Sequence, residues 1–198
     1  RGREEDPGTG LWSYADRTKE IARPGYYCVP LTRYGVTAEM TATSRVGMHR
    51  YTFPQSGNAG IVIDLMNGGC WDRPMDTYVE VVDPSTGLPD ENGTALKGYR
   101  FSRGWASDQK IYFYAEFSQP FRDLDIITRN IQIWQNEFRQ MPTHVHAHFD
   151  GADQVLMKVA LSPVSMDGAY RNMQQELPGW DFNSVAEATH TLNKMQAD

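Results

Sequence analysis

The sequence predicts a mainly β fold, an antiparallel β-sandwich with two helices at its C-terminal end. Three observations carry that prediction. Apolar and polar residues alternate with a period of two through most of the chain up to about residue 165. The alternating stretches are short and are separated by clusters of Gly, Pro, Asn and Asp, the pattern of antiparallel sandwiches and barrels. Beyond Ser165 the spacing of apolar residues becomes helical. A chain of 198 residues is long enough for one domain with a substantial core.

Each element follows from local pattern. Arg1 to Gly10 reads as a polar loop. Val36, Ala38, Met40 and Ala42 alternate with Thr37, Glu39, Thr41 and Thr43, which predicts a half-buried strand. Gly47 to Phe53 predicts the next strand, with Met48, Arg50 and Thr52 opposite His49, Tyr51 and Phe53. Pro54 to Asn58 is a turn, and Ala59 to Leu65 a more buried strand. Thr77 to Val82 is β-branched and aromatic, and Asp83 to Gly93 is a loop packed with turn residues. Further strands are expected at Ala95 to Ser102, Lys110 to Phe117, Ile126 to Trp134, Thr143 to Phe149 and Gln154 to Ser162.

Asp167 suits an N-cap, and Tyr170, Met173 and Leu177 then recur at helical spacing until Pro178-Gly179 ends the helix. A second helix is expected from Asn183 or Ser184, with Val185, Ala188, Leu192 and Met195 on one face. It meets no stop signal, so the native polypeptide is expected to continue. The expected organisation is a sandwich over 1–164, incomplete at its start, and a helical linker over 165–198.

Composition excludes some functions. The net charge is −6 and no stretch concentrates Lys or Arg, which argues against nucleic acid or an anionic membrane as main partner. The longest apolar run, Ile61 to Met66, is broken by Asp64, so no membrane span is expected. No charged n-region precedes an apolar h-region, so no signal peptide is visible. Two cysteines, Cys28 and Cys70, are too few for a disulfide scaffold; one bridge and two free thiols both remain open. Asn92-Gly-Thr94 is a short glycosylation sequon in the turn-rich loop.

Three constellations could carry chemistry. His144, His146 and His148 fall on alternate positions, so their imidazoles share one face of a strand. Alternate strand residues lie about 6.6 Å apart, which puts the outer two about 13 Å apart. A metal–nitrogen bond of about 2.1 Å cannot serve both ends. At most an adjacent pair could bind, with Asp150 or Asp153 nearby. The plain alternative is a polar strand face opposite Val145, Ala147 and Phe149. Among the carboxylates, Asp64 and Glu116 each interrupt an apolar run, which suits either a catalytic pair or carboxylates held by a backbone or Arg partner. Trp71, Trp105, Trp134 and Trp180 suit sugar stacking or, as the simpler expectation, core packing; Gly104-Trp105 follows a charged turn and is expected to be partly exposed. No Gly-rich phosphate loop or nucleophile elbow is present.

Several stretches together resemble one family. The segment Arg23 to Pro54, with Pro24-Gly25-Tyr26-Tyr27, Ala38-Glu39-Met40-Thr41-Ala42-Thr43 and His49-Arg50-Tyr51-Thr52-Phe53-Pro54, resembles the N-terminal domain of glycoside hydrolase family 92, the exo-acting α-mannosidases. Ser102 to Phe121 and Glu176-Leu-Pro-Gly-Trp-Asp-Phe182 resemble later landmarks in the same order. The resemblance implies a supersandwich-like domain joined through helices to a larger (α/α)6-barrel, absent from this chain. It implies calcium-dependent, inverting removal of terminal mannose from glycans outside the cytoplasm. The family's catalytic carboxylates and most calcium ligands lie in that barrel. No catalytic, substrate-binding or metal-ligating residue is therefore carried over to this chain, which is expected to bind no calcium, to pack on the barrel and to be inactive alone. The rival expectations are a non-catalytic carbohydrate-binding sandwich, marked by an exposed aromatic platform, and a zinc-dependent β-barrel enzyme using the histidine row.

Overall fold

The structure, a computed structural model, describes residues 12–54, 58–68 and 71–195. In chain order it runs β1 (Ile21–Arg23), β2 (Tyr26–Leu31), β3 (Val36–Ala42), β4 (Val46–Thr52), β5 (Asn58–Asp64), β6 (Arg73–Val82), β7 (Ala95–Arg103), β8 (Gln109–Phe117), β9 (Asp123–Trp134), β10 (Glu137–Asp150) and β11 (Gln154–Ser162). Helices α1 (Met166–Glu176) and α2 (Phe182–Met195) follow. The strands form an eight-stranded sheet, ordered β1-β2-β3-β4-β11-β8-β7-β6, and a three-stranded sheet, β5-β10-β9. The pairings are antiparallel, as the short, turn-separated strands predicted.

Strict alternation builds three layers. In β8, Phe113, Ala115 and Phe117 face the small sheet, where they meet Ile61, Val145, Ala147 and Phe149. The intervening Tyr114 and Glu116 face the other way, toward the helices. In β11, Val155 and Met157 join the first core, and Lys158 and Ala160 the second. The second core lies between the large sheet and the helices and includes Val46, Met48, Met173, Leu177, Phe182 and Ala186. Tyr114, Met48 and Met173 are fully buried there, so the helices cover the sheet as a third layer.

Several expectations need correction. Strands β1 and β2 were not expected, because Pro30 weakens the strand pattern of β2; the large sheet tolerates it beside the sheet edge. Strand β10 begins at Glu137, not Thr143, and β9 begins at Asp123. The extra length forms a hairpin whose far end is mostly exposed and so leaves little apolar alternation to read. Pro142 sits at a register shift in that ladder, where a missing N–H is tolerated. The N-cap of α1 is Ser165, whose Oγ accepts from the Gly168 N–H at 2.9 Å; Asp167 lies inside the first turn, where its charge suits the helix dipole.

Helix α2 begins at Phe182, and its buried face differs from the expected one. Phe182 and Ala186 are buried, while Ala188 and Leu192 are exposed; the side chain of Met195 lies outside the described residues. The rotation has local causes. Phe182 is anchored between Tyr26 and Arg50, and Thr189 Oγ1 donates to the Ala42 carbonyl at 2.9 Å. The expected loop over Arg1 to Gly10 and most of the turn after Pro54 lie outside the described residues.

Candidate functional site: the sheet–helix junction

Two of the three stretches that carried the family resemblance, Arg23 to Pro54 and Glu176 to Phe182, are far apart in sequence and converge where α1 and α2 meet β1–β4. Arg50 is the hub. Its guanidinium forms a two-point ion pair with Glu39, Nε to Oε2 at 2.6 Å and Nη2 to Oε1 at 2.5 Å. Registry sets this up, because Glu39 and Arg50 are direct cross-strand partners on β3 and β4. The same guanidinium lies 4.3 Å from the ring centre of Phe182 and donates to Asn183 Oδ1 at 3.0 Å. Tyr26 donates its phenol proton to Glu39 Oε1 at 2.7 Å and meets Phe182 edge-on. The Arg50 hydrogen bonds hold Glu39 below the ordinary carboxylate range, and burial first, then the Glu39 contact, pushes Tyr26 upward.

Two more contacts close the junction. Glu176 accepts from Thr43 Oγ1 at 2.6 Å, from the Arg45 N–H at 2.9 Å and from Arg45 Nε at 2.5 Å. Burial alone would raise this carboxyl, but these donors hold it below its ordinary value. Gly25 takes a positive φ of 81°, and a Cβ there would stand 2.8 Å from the backbone nitrogen of His190. Glycine at that turn lets the β1–β2 hairpin touch the α2 backbone. Beside this contact lies a groove of about 1180 Å3, lined in part by Tyr27, Met40, Ala42, Val185, Ala188 and Leu192. The apolar positions expected to bury α2 therefore line an open groove.

The pair Glu116 and Lys158 sits beneath α1. Lys158 is 1% exposed; its Nζ lies 2.8 Å from Glu116 Oε2, donates to the Leu177 carbonyl at 3.0 Å and sits 4.2 Å from the Trp180 ring centre. It thus holds the end of α1 and the Pro178–Trp180 turn on the sheet. Asp64 stands on the small sheet, where it accepts from the Met66 and Asn67 N–H groups and lies 3.6 Å from His144 Nε2. Asp64 and Glu116 thus belong to different sheets and do not form a pair. Glu116 is held by a lysine rather than the expected backbone or Arg partner.

The histidine row adopts the plain arrangement. Val145, Ala147 and Phe149 are buried between the sheets, and His144, His146 and His148 share the half-buried opposite face. Among the described residues, no three His, Cys, Asp or Glu side chains converge as a metal site.

Core packing fails as the account of three tryptophans. Trp71, Trp105 and Trp134 are 69%, 90% and 51% exposed. Trp180 alone packs against the helical core. Cys28 is a buried free thiol, and Cys70 lies outside the described residues. The Arg50 hub was missed in the sequence reading. Its signal was an Arg on the same strand face as Val46 and Met48, opposite a Glu in the neighbouring strand.

Comparison with known proteins places the chain. The profile of the glycosyl hydrolase family 92 N-terminal domain matches residues 1–162. A family 92 α-mannosidase of Bacteroides thetaiotaomicron, solved also in complex with mannoimidazole, superposes with a TM-score of 0.80 at 33% identity over 96% of this chain and 26% of its own. Another family 92 glycosyl hydrolase superposes with a TM-score of 0.71 at 25% identity, over 90% of this chain and 24% of its own. A protein of Arthroderma benhamiae named as an uncharacterized secreted glycosidase is 27% identical over 86% of this chain and 24% of its own length. The chain spans about a quarter of the length of these relatives.

Proposed function

This chain belongs to glycoside hydrolase family 92 as its N-terminal domain, and on that premise we propose that it is the sandwich portion of an α-mannosidase that removes terminal α-mannose from glycans outside the cytoplasm. The supporting observation is that the first and last family landmarks, Arg23 to Pro54 and Glu176 to Phe182, meet at the sheet–helix junction. Tyr26, Glu39, Arg50, Glu176 and Phe182 fasten α1 and α2 to the large sheet. Their two carboxylates, Glu39 and Glu176, are each engaged by an arginine, whereas inverting glycoside hydrolysis needs a general acid and a general base with room for a water between them. The junction residues instead fix the direction in which α2 leaves the sandwich and keep Val185, Ala188 and Leu192 on the open groove.

In this reading the sandwich is the platform on which a helical catalytic domain seats, and its residues 165–198 are the connecting helices. The general acid, the general base and the calcium ligands belong to that other domain. The sandwich alone is inactive.

The test follows the anomer released from an α-mannoside by NMR, using the full-length polypeptide with calcium and then with chelator. Release of β-mannose first, abolished by chelation and restored by calcium, is the expected result. Release of α-mannose first, or full activity in chelator, contradicts the reading.

A further inference from the structure

We propose that Trp71 and Trp105 form a stacking platform for a pyranose ring of an α-mannoside, so that this domain itself grips the glycan. The proposal rests on the reading of the chain as part of an α-mannosidase, which supplies the ligand class. The two indoles are 69% and 90% exposed, yet they stand together, with ring centres 6.5 Å apart and planes at 59°. Exposed tryptophans scattered singly need no explanation, but an adjacent pair on two different loops does.

The pair is held in place from beneath. Arg100 on β7 reaches across to the loop after β5: its Nη1 meets Asp72 Oδ2 at 2.5 Å, its Nε donates to the Leu65 carbonyl at 2.8 Å and its Nη2 to the Met66 carbonyl at 3.4 Å. The Asp72 side chain is 6% exposed, so Trp71 projects from a buried neighbour. From the other side, the Gly104 N–H donates to the Ala106 carbonyl at 2.9 Å and closes the turn that presents Trp105. A Cβ on Gly104 would stand 2.8 Å from the Asp72 Cα. Glycine there lets the two loops touch, which brings the indoles side by side.

The surroundings favour a sugar over a protein. A pyranose offers an apolar C–H face to an indole and hydroxyls around its edge. The turn that presents Trp105 also carries exposed Arg103, Ser107 and Asp108, with Arg103 Nε donating to the Ser107 carbonyl. A polar turn beside an exposed aromatic pair suits a hydroxyl-bearing ligand. The core of a protein interface is depleted in charge and broader than two side chains.

The test titrates the full-length polypeptide with mannotetraose, read by calorimetry and by tryptophan emission. The variants are W71A/W105A, W71F/W105F and the exposed-loop control Leu88→Ala. Acrylamide quenching of the free protein reports whether the indoles face solvent. The double alanine variant is expected to bind about tenfold more weakly and to lose the emission change. The phenylalanine variant should retain part of the affinity, and Leu88→Ala should match the parent. Unchanged affinity in the double alanine variant overturns the proposal. So do indoles shielded from acrylamide before glycan is added, which would mean that protein covers them. Turnover of an aryl α-mannoside by the same preparation separates the two readings. Turnover with unchanged binding sinks the platform alone, and lack of turnover with tryptophan-dependent binding sinks the enzyme reading alone.

Discussion

Lys158 illustrates how much one residue can carry. Its ammonium is buried, and a buried charge is tolerated only when paired and hydrogen-bonded. Removing it in Lys158→Met leaves Glu116 without its cation, and the expected loss of stability is about 3 to 5 kcal/mol by urea unfolding. The double variant K158M/E116L removes both charges and should recover most of that loss. A double variant as unstable as the single one would contradict the pairing.

Acid sensitivity is also decided at single residues. Burial depresses His49 below its ordinary value of 6.5, so the unfolded chain holds that proton more readily. Its contribution is complete above 6.5 and is lost as pH falls through the depressed folded value. Glu39 and Glu176 lie below their ordinary 4.5, so their contributions are complete above 4.5 and are lost as pH falls through their folded values. The melting temperature should therefore decline gently below about pH 6.5 and steeply below about pH 4.5. His49→Gln should abolish the first phase only, and a flat profile from pH 7 to pH 4 would contradict this account.

Among the elements, the hinge-like contact is between the β1–β2 turn and α2. Gly25→Ala would force a side chain into positive φ and against the α2 backbone. The expected cost is about 1 to 3 kcal/mol, with hydrogen exchange accelerated in α2 more than in the large sheet. Equal exchange in parent and variant would show that the turn does not hold the helix. Ser165→Ala removes the α1 N-cap bond, at about 1 kcal/mol.

Most strands were legible because a pleated surface buried on one side writes its alternation into the sequence, as in Thr143 to Phe149. The exposed arm of β9–β10 was not, since strands that bury little carry no such pattern. The face of α2 was misread for a different reason. Val185, Ala188 and Leu192 do form an apolar stripe, but Phe182 and Thr189 fix the rotation of the helix, and such contacts are not encoded in periodicity. The exposure of Trp71 and Trp105 was likewise set by loop contacts between distant segments.

At the scale of the whole molecule, the exposed features are consistent with a domain that works against something else. The open groove beside α2, with Leu192 61% exposed, and the short edge strand β1, with Ile21 49% exposed, leave apolar surface and backbone in solvent. The 198-residue chain expressed alone should therefore self-associate on size exclusion with light scattering, more so at higher concentration. A sharp monomer peak with cooperative melting would count against that view of the groove.

In the proposed division of labour, this layer orients helices toward a catalytic partner and breaks no glycosidic bond itself. The most direct test compares hydrolysis of an aryl α-mannoside, in calcium, by the full-length polypeptide and by the 198-residue chain alone. Turnover by the first and none by the second is the expected result. Turnover by the isolated chain, or an inert full-length polypeptide, would contradict it.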